Sequence, residues 1–283
     1  MKSLSIERHA DSGDFPRAVI TESGGLKFTE EDGLDRAWAL GIFYLDVPES
    51  LDLESARSFG QTLLDPDSPY RKVQQYGELE GFIALENNQQ TKLALRRCRW
   101  DQCYPAEIAT FGRSLDVIGV AIIREVLAQS SIPESCWGQA SGGYAVGEGT
   151  AFLNFVHYDT STSCEGLRPH TDYGFVTILD ATKPGLQVEV NGTFQDVPLR
   201  PDCLAIHFGE ALRYITAYAD RGVSAVRHRV LNQKAADSVR SGIVYFANPE
   251  LDGTLSQFDA YGELKGESSV SDFFGLLERE LTE

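Results

Sequence analysis

Only five histidines occur in this chain of 283 residues, at His9, His157, His170, His207 and His228. Two of them sit where they could share an ion. His170 and Asp172 form an H-x-D pair in Pro169-His170-Thr171-Asp172-Tyr173-Gly174. If the pair enters a strand, residues two apart share a face, so an imidazole and a carboxylate converge. His228, in Arg227-His228-Arg229-Val230, lies on a second strand-like segment, far enough along the chain to return beside the first. Two imidazoles and one carboxylate on one side of an ion leave three octahedral positions open, the donor set of non-haem Fe(II) chemistry. An H-x-D pair alone is weak; its surroundings must carry the argument.

Strands have to hold these side chains. From about residue 150 short apolar segments follow one another, separated by turn residues: Phe152–Tyr158, Gly174–Leu179, Leu186–Val190, Phe194–Val197, Cys203–Phe208, Val226–Leu231 and Gly242–Ala247. Asn191-Gly192 predicts a two-residue hairpin, because both central residues of a type I′ turn need positive φ. Many short strands with few helices between them predict an antiparallel sandwich or barrel. The first half reads differently. Gly41–Val47 predicts a strand ending before Pro48, and Thr29 is the expected N-cap of a helix through Ala39. Ile108, Phe111, Leu115, Ile118, Ile122 and Val126 recur every three or four positions after Pro105, predicting one long helix over Ala106–Gln129. A helix-rich N-terminal half thus wraps a C-terminal β core.

Composition narrows the partners. Lys and Arg total 25 against 42 Asp and Glu, a formal charge of −17. Such a chain repels nucleic-acid phosphates and anionic membranes, and favours a cationic small molecule by steering. No apolar run approaches the roughly 18 residues of a membrane span, and the N-terminus lacks an apolar signal core, so a cytoplasmic location is expected. Cys98, Cys103, Cys136, Cys164 and Cys203 are odd in number and form no C-x-x-C pair, which predicts free thiols.

The surroundings of the H-x-D pair are more specific. Leu153-Asn154-Phe155-Val156-His157-Tyr158 looks like an L-R-L-N-x-Y strand, and His170 to Thr177 reads as H-T-D-Y-G-x-x-T. Gly185-Leu186-Gln187-Val188 matches G-L-Q-V, Gly209-Glu210 stands where G-D is usual, and His228-Arg229-Val230 matches H-R-V. Arg240 to Phe246 is close to an R-x-S-x-x-F-F closing strand, and Gly41-Ile42-Phe43-Tyr44 to a G-F-F-Y entry strand. In this order the segments resemble the isopenicillin N synthase-like family of Fe(II)/2-oxoglutarate-dependent oxygenases over residues 151–249. The resemblance implies a fold that is mainly β with α, one oxygenase domain over 1–283. Its double-stranded β-helix (jelly-roll) core spans 150–250, with an N-terminal cover over 1–149 and a C-terminal helix or tail over 251–283.

It also implies roles. His170, Asp172 and His228 become ligands of Fe(II), and Arg240 the cation that fixes the distal carboxylate of 2-oxoglutarate, a task suited to a planar, permanently charged fork. Tyr158 would hydrogen-bond that carboxylate, and O2 completes the reaction. Hydroxylation or oxidative ring formation on a small polar natural product follows. From the net charge an amine-bearing one is favoured, such as an aminoglycoside or aminocyclitol of antibiotic or other secondary metabolism. Two departures matter: Gly242 replaces the closing strand's Ser, and Asn154 and Val156 replace the Arg and Asn of the L-R-L-N-x-Y strand. They leave open an Fe(II) oxidase of the isopenicillin N synthase type, in which Arg240 holds the substrate and 2-oxoglutarate is not used. A redox-silent β-helix binding protein is a third reading, disfavoured by three intact ligands.

Other polar residues read as structural. His157 faces away from Tyr158, His207 on its core strand is expected to be hydrogen-bonded, Arg229 to form a salt bridge, and His9 to lie at the surface. Arg96-Arg97-Cys98-Arg99 is the one basic island; it is a solvated face unless one arginine meets a substrate anion. Tyr173 and Phe175 are expected to pack the barrel, and Asp159 and Glu165 to line its mouth.

Overall fold

The computed structural model describes residues 14–77, 80–85, 90–159, 165–231 and 239–280. Five strands precede residue 100: β1 (Arg17–Ile20), β2 (Leu26–Phe28), β3 (Ile42–Asp46), β4 (Gly81–Leu85) and β5 (Gln90–Arg96). Eight more build the second half: β6 (Thr150–Asp159), β7 (Glu165–His170), β8 (Val176–Ala181), β9 (Leu186–Val190), β10 (Thr193–Asp196), β11 (Cys203–Phe208), β12 (His228–Leu231) and β13 (Val239–Asn248). A last hairpin, β14 (Thr254–Phe258) and β15 (Leu264–Ser269), precedes a helix over Val270–Glu280. Nine strands make the main sheet, in the order β2-β1-β3-β11-β8-β13-β6-β5-β4, and four make the minor sheet, β10-β9-β12-β7.

Alternation along these strands sorts the side chains into two cores. Ile42 and Tyr44 of β3, Ala205 of β11, Leu186 and Val188 of β9 and Val230 of β12 are buried together between the sheets. The other face of the main sheet, including Leu93, Leu95, Leu153, Phe155, Ile243 and Tyr245, packs against the helices Leu53–Thr62 and Ala106–Gln129. The architecture is a jelly roll, mainly β, with a helical layer on one side. No helix among the described residues is long and apolar enough to cross a membrane.

The long helix runs over Ala106–Gln129, with Ile108, Phe111, Leu115, Ile122 and Val126 buried. Asn191 and Gly192 take φ of 53° and 76° in the turn joining β9 to β10, as the hairpin requires. Three expectations are corrected. Thr29 caps no helix: its amide and hydroxyl both donate to Arg17 O, extending the β1–β2 ladder, so the helix starts at Gly33. The C-terminal stretch is not only helix and tail, because the β14–β15 hairpin precedes the helix. The basic island is not simply a solvated face. Arg96 and Arg99 both pair with buried Glu80, at 2.7 and 2.9 Å, and Arg97 reaches Asp116 on the long helix at 3.2 Å. Asp116 also accepts from the Tyr245 hydroxyl of β13, so this network ties helix to sheet.

Candidate metal centre

Pairing between β7 and β12 builds the cluster. His228 opens β12 and lies opposite His170, the last residue of β7; the ring centroids are 4.3 Å apart. Past His170 the chain leaves the strand, so Asp172 sits in the turn before β8. The expectation of a strand entrance is therefore corrected: the turn, not period-2 alternation, brings the carboxylate to the imidazole. His170 Nε2 lies 3.6 Å from Asp172 Oδ1, and His228 Nε2 lies 3.9 Å from Oδ2. The candidate donor atoms of all three residues fall within 4.8 Å of one another. Ligand bonds of about 2 Å put the donors of one ion roughly 3–4 Å apart, so the spacing suits a single cation.

Neighbouring groups aim these donors. His170 Nδ1 meets Arg168 O at 2.8 Å and His228 Nδ1 meets Val226 O at 3.2 Å. A carbonyl only accepts, so each Nδ1 carries the proton and each Nε2 lone pair faces the centre. Thr177 on β8 donates its hydroxyl to Asp172 Oδ2 and holds the carboxylate. Burial would raise the Asp172 pKa, but the two imidazoles and the Thr177 hydroxyl outweigh it and leave the acid well below its ordinary range. Burial lowers His228, whereas for His170 the contact with Asp172 outweighs burial and raises it. The centre is a preformed anion between two imidazoles, which a divalent cation would satisfy.

Arg240 and Tyr158 lie opposite each other on β13 and β6, facing the space between the sheets. The guanidinium carbon stands 5.4 Å from the Tyr158 ring centroid, and Arg240 Nε donates to Lys183 O at 3.2 Å. Arg240 Nη2 is buried without a hydrogen-bond partner among the described residues, and burial pulls the guanidinium below its usual pKa. A buried cation with an unmet donor calls for an anion. Fe(II) and a dicarboxylate therefore fit the residues present. Ser241 does not stand in for the missing serine: it faces the helices, bonded to His157 Nδ1 at 2.8 Å and Gln61 Nε2 at 3.2 Å. Gly242 shares the face of Arg240, and a Cβ there would meet Asp180 O at 3.2 Å and Val156 Cγ2 at 3.3 Å. Val156 thus crowds the position the serine would take.

The remaining residues fall as follows. His157 is buried on the helix side, and burial pushes its pKa down to about 4, so it is neutral. His207 is corrected: it is fully buried 4.8 Å from the His228 ring, and neither ring nitrogen has a hydrogen-bond partner among the described residues. Arg229 makes no ion pair among the described residues; its Nε donates to Gln187 Oε1 at 2.8 Å and its guanidinium lies 4.2 Å from the Phe194 ring centroid. Phe175 is buried against Tyr144, and Tyr173 meets Phe274. His9, Cys164 and the side chains of Asp159 and Glu165 lie outside what is described; Cys98, Cys103, Cys136 and Cys203 are free thiols. Sequence reasoning gave Thr177 no role, although it closes the H-T-D-Y-G-x-x-T motif. It also missed Lys92, whose strand β5 was not foreseen.

Residues 149–249 match the family model of the 2OG-Fe(II) oxygenase superfamily. The chain is similar to gibberellin 2-beta-dioxygenase 6 of Oryza sativa subsp. japonica, with 24% identity over 88% of this chain and 70% of that protein. It is also similar to 1-aminocyclopropane-1-carboxylate oxidase 2 of Malus domestica, with 32% identity over 43% of this chain; it spans little more than a third (36%) of that oxidase. Among solved structures, the rice dioxygenase for auxin oxidation superposes with a TM-score of 0.72 at 20% identity, covering 94% of this chain and 96% of that one. A full-length Neurospora crassa protein, solved in complex with alpha-KG and 5-formyluracil, gives 0.71 at 17% identity over 96% and 97%.

Proposed function

We propose that this chain is a member of the 2OG-Fe(II) oxygenase superfamily, an Fe(II)/2-oxoglutarate-dependent dioxygenase that uses O2, with His170, Asp172 and His228 as its iron ligands. One observation carries the assignment: both Nδ1 atoms are committed to backbone carbonyls, so two Nε2 lone pairs converge on the carboxylate that Thr177 holds. Arg240 is the residue for the distal carboxylate of 2-oxoglutarate, with Tyr158 beside it. Bound at this centre, Fe(II) with 2-oxoglutarate and O2 supplies an oxidant for unactivated C–H bonds, releasing succinate and CO2.

The chain's own part is to place and to exclude. Asp172 stays ionised at every working pH and brings negative charge to the cation. Arg240 fixes one end of the co-substrate through a fork anchored on Lys183 O, which sets how far its other end reaches toward the histidines. The apolar core between the sheets keeps water from that end of the site. The substrate is a small polar molecule and the reaction a hydroxylation or oxidative ring formation. An amine-bearing natural product rests on net charge alone, and no described residue of the site supports it.

Gly242, crowded by Val156, favours a second reading in which Arg240 holds the substrate itself and 2-oxoglutarate is not consumed. The test is succinate formation from 2-oxoglutarate by the Fe(II)-loaded protein in air. Succinate that needs Fe(II) and is lost in His170→Ala supports the first reading. No succinate from a protein that binds Fe(II) leaves the second.

A further inference from the structure

Lys92 is a cation without a counterpart among the described residues. It lies on β5, opposite Val156 of β6, which in turn pairs with Gly242 of β13. Its neighbours along the strand, Leu93 and Leu95 on either side of Ala94, fix the alternation: the leucines are buried against the helices, so Lys92 faces the space between the sheets, on the side of Tyr158 and Arg240. The side chain is half-buried and makes no hydrogen bond or ion pair with any described residue. Here burial alone lowers the pKa from its ordinary value. One rung along, diagonally across from Lys92, Asn154 buries its Oδ1 without a partner among the described residues. An amide can turn either its oxygen or its two N–H donors toward a ligand.

We propose that Lys92 and the Asn154 amide form a subsite for an anionic group of the organic substrate, a carboxylate in the simplest case. The assignment rests on the reading of the site as an Fe(II)/2-oxoglutarate centre, because that reading gives Arg240 its own anion and leaves Lys92 unanswered. The inner rungs of β5, β6, β13, β8 and β11 carry no carboxylate among the described residues. Asp172 is committed to the two histidines. An anion on the substrate supplies the missing charge, and the short reach from Lys92 toward β13 orients the molecule across the main sheet.

The test is a matched set of probes, 3-phenylpropionate, 3-phenylpropionamide and 3-phenylpropylamine. Each is titrated by calorimetry into the full-length protein loaded with Fe(II) and saturating 2-oxoglutarate without O2. The acid is expected to bind at least about tenfold more tightly than the amide, with no binding of the amine. Lys92→Met should erase the preference, Lys92→Arg should keep it, and Asn154→Ala should weaken the acid alone. Lys92→Met removes an unpaired charge and is expected to melt no lower than the parent. Equal binding of acid and amide, no binding of the acid, or an undiminished acid affinity in Lys92→Met overturns the proposal. So does a loss of 2-oxoglutarate affinity in Lys92→Met, which would make Lys92 part of the co-substrate site. Fe(II) and 2-oxoglutarate binding are measured on the same samples. Their absence from the parent sinks the enzymatic reading, whereas their presence without an acid preference sinks the subsite alone.

Discussion

Arg240→Lys separates the two uses of the buried arginine. In the native chain Nε is anchored on Lys183 O at 3.2 Å, and Nη2 is buried with no partner, so the fork presents a fixed unmet donor to an incoming carboxylate. Lysine keeps the charge but loses both the anchor and one of two parallel bonds. A hydrogen bond to a charged group is worth about 1.5–3 kcal/mol, and lysine's flexible ammonium recovers part of it as a point charge. A net loss of about 1–3 kcal/mol follows, or about 5- to 150-fold in the dissociation constant of 2-oxoglutarate. The assay is calorimetric titration of 2-oxoglutarate into anaerobic, Fe(II)-loaded protein. Arg240→Met goes further: the ligand-free protein loses a buried unpaired charge and keeps its melting temperature, while stabilisation by 2-oxoglutarate disappears. An Arg240→Lys protein that binds 2-oxoglutarate like the parent but has lost its substrate would refute the reasoning and move the chain to the oxidase reading.

His170→Ala, Asp172→Ala and His228→Ala are each expected to abolish Fe(II)-dependent succinate formation with the far-UV dichroism unchanged; parental turnover in any one removes that residue from the centre. His157 predicts acid sensitivity with a defined sign. Its pKa falls from 6.5 to about 4 on folding, so the unfolded chain takes the proton first, and stability present above pH 6.5 drains away toward pH 4 by up to about 3 kcal/mol. Urea melts at pH 7 and pH 5 should show the parent losing about 2 kcal/mol more than His157→Asn, and equal slopes would count against it. Gly242→Ser places a Cβ 3.2 Å from Asp180 O and 3.3 Å from Val156 Cγ2, so it should destabilise by about 1–2 kcal/mol. Val156→Ala in the same chain should recover part of that loss, and a neutral Gly242→Ser would show that Val156 yields freely.

What could be read from the sequence was whatever depends on local period and on the spacing of donors. The long helix shows its stripe of apolar residues, β9 shows alternation, β11 a short apolar run, and the Asn191-Gly192 turn a required positive φ. The proposed ligand set was visible because H-x-D and H-R-V stand in fixed order. What was hidden depends on pairing between distant segments. β1, β2, β4 and β5 are edge or near-edge strands, short and mixed in character, and only their partners make them strands. Arg96, Arg97 and Arg99 read as a basic island because Glu80 and Asp116, which neutralise them, are 16 to 19 residues away in sequence. The Asp172 turn was misplaced for the opposite reason: the local rule for strands was extended one step past the end of β7. His207 looked like a core histidine with an ordinary partner, and no sequence signal says that its strand neighbours, Ile42 and Thr177, leave it none.

The same contrast between summed and local properties decides the sign of one further measurement. A formal charge of −17 sets the field around the outer surface, which salt screens beyond a Debye length of about 10 Å at 0.1 M. The inner faces of the sheets obey a different sum, with Lys92 and Arg240 set against Asp172 among the described residues. Net charge alone predicts a cationic substrate whose capture slows as salt rises. An anion bound at Lys92 predicts the reverse: the outer surface repels it, salt screens that repulsion, and the short-range contact in the pocket is little affected. The association rate of 3-phenylpropionate, followed by stopped flow from about 20 to 300 mM salt at saturating 2-oxoglutarate, should therefore rise. A rate that falls would mean that attraction to positive charge dominates the whole approach path, and the surface field inferred from net charge would have to be abandoned. Binding of 3-phenylpropylamine that weakens with salt would instead return the amine-bearing substrate to first place and leave Lys92 without its anion.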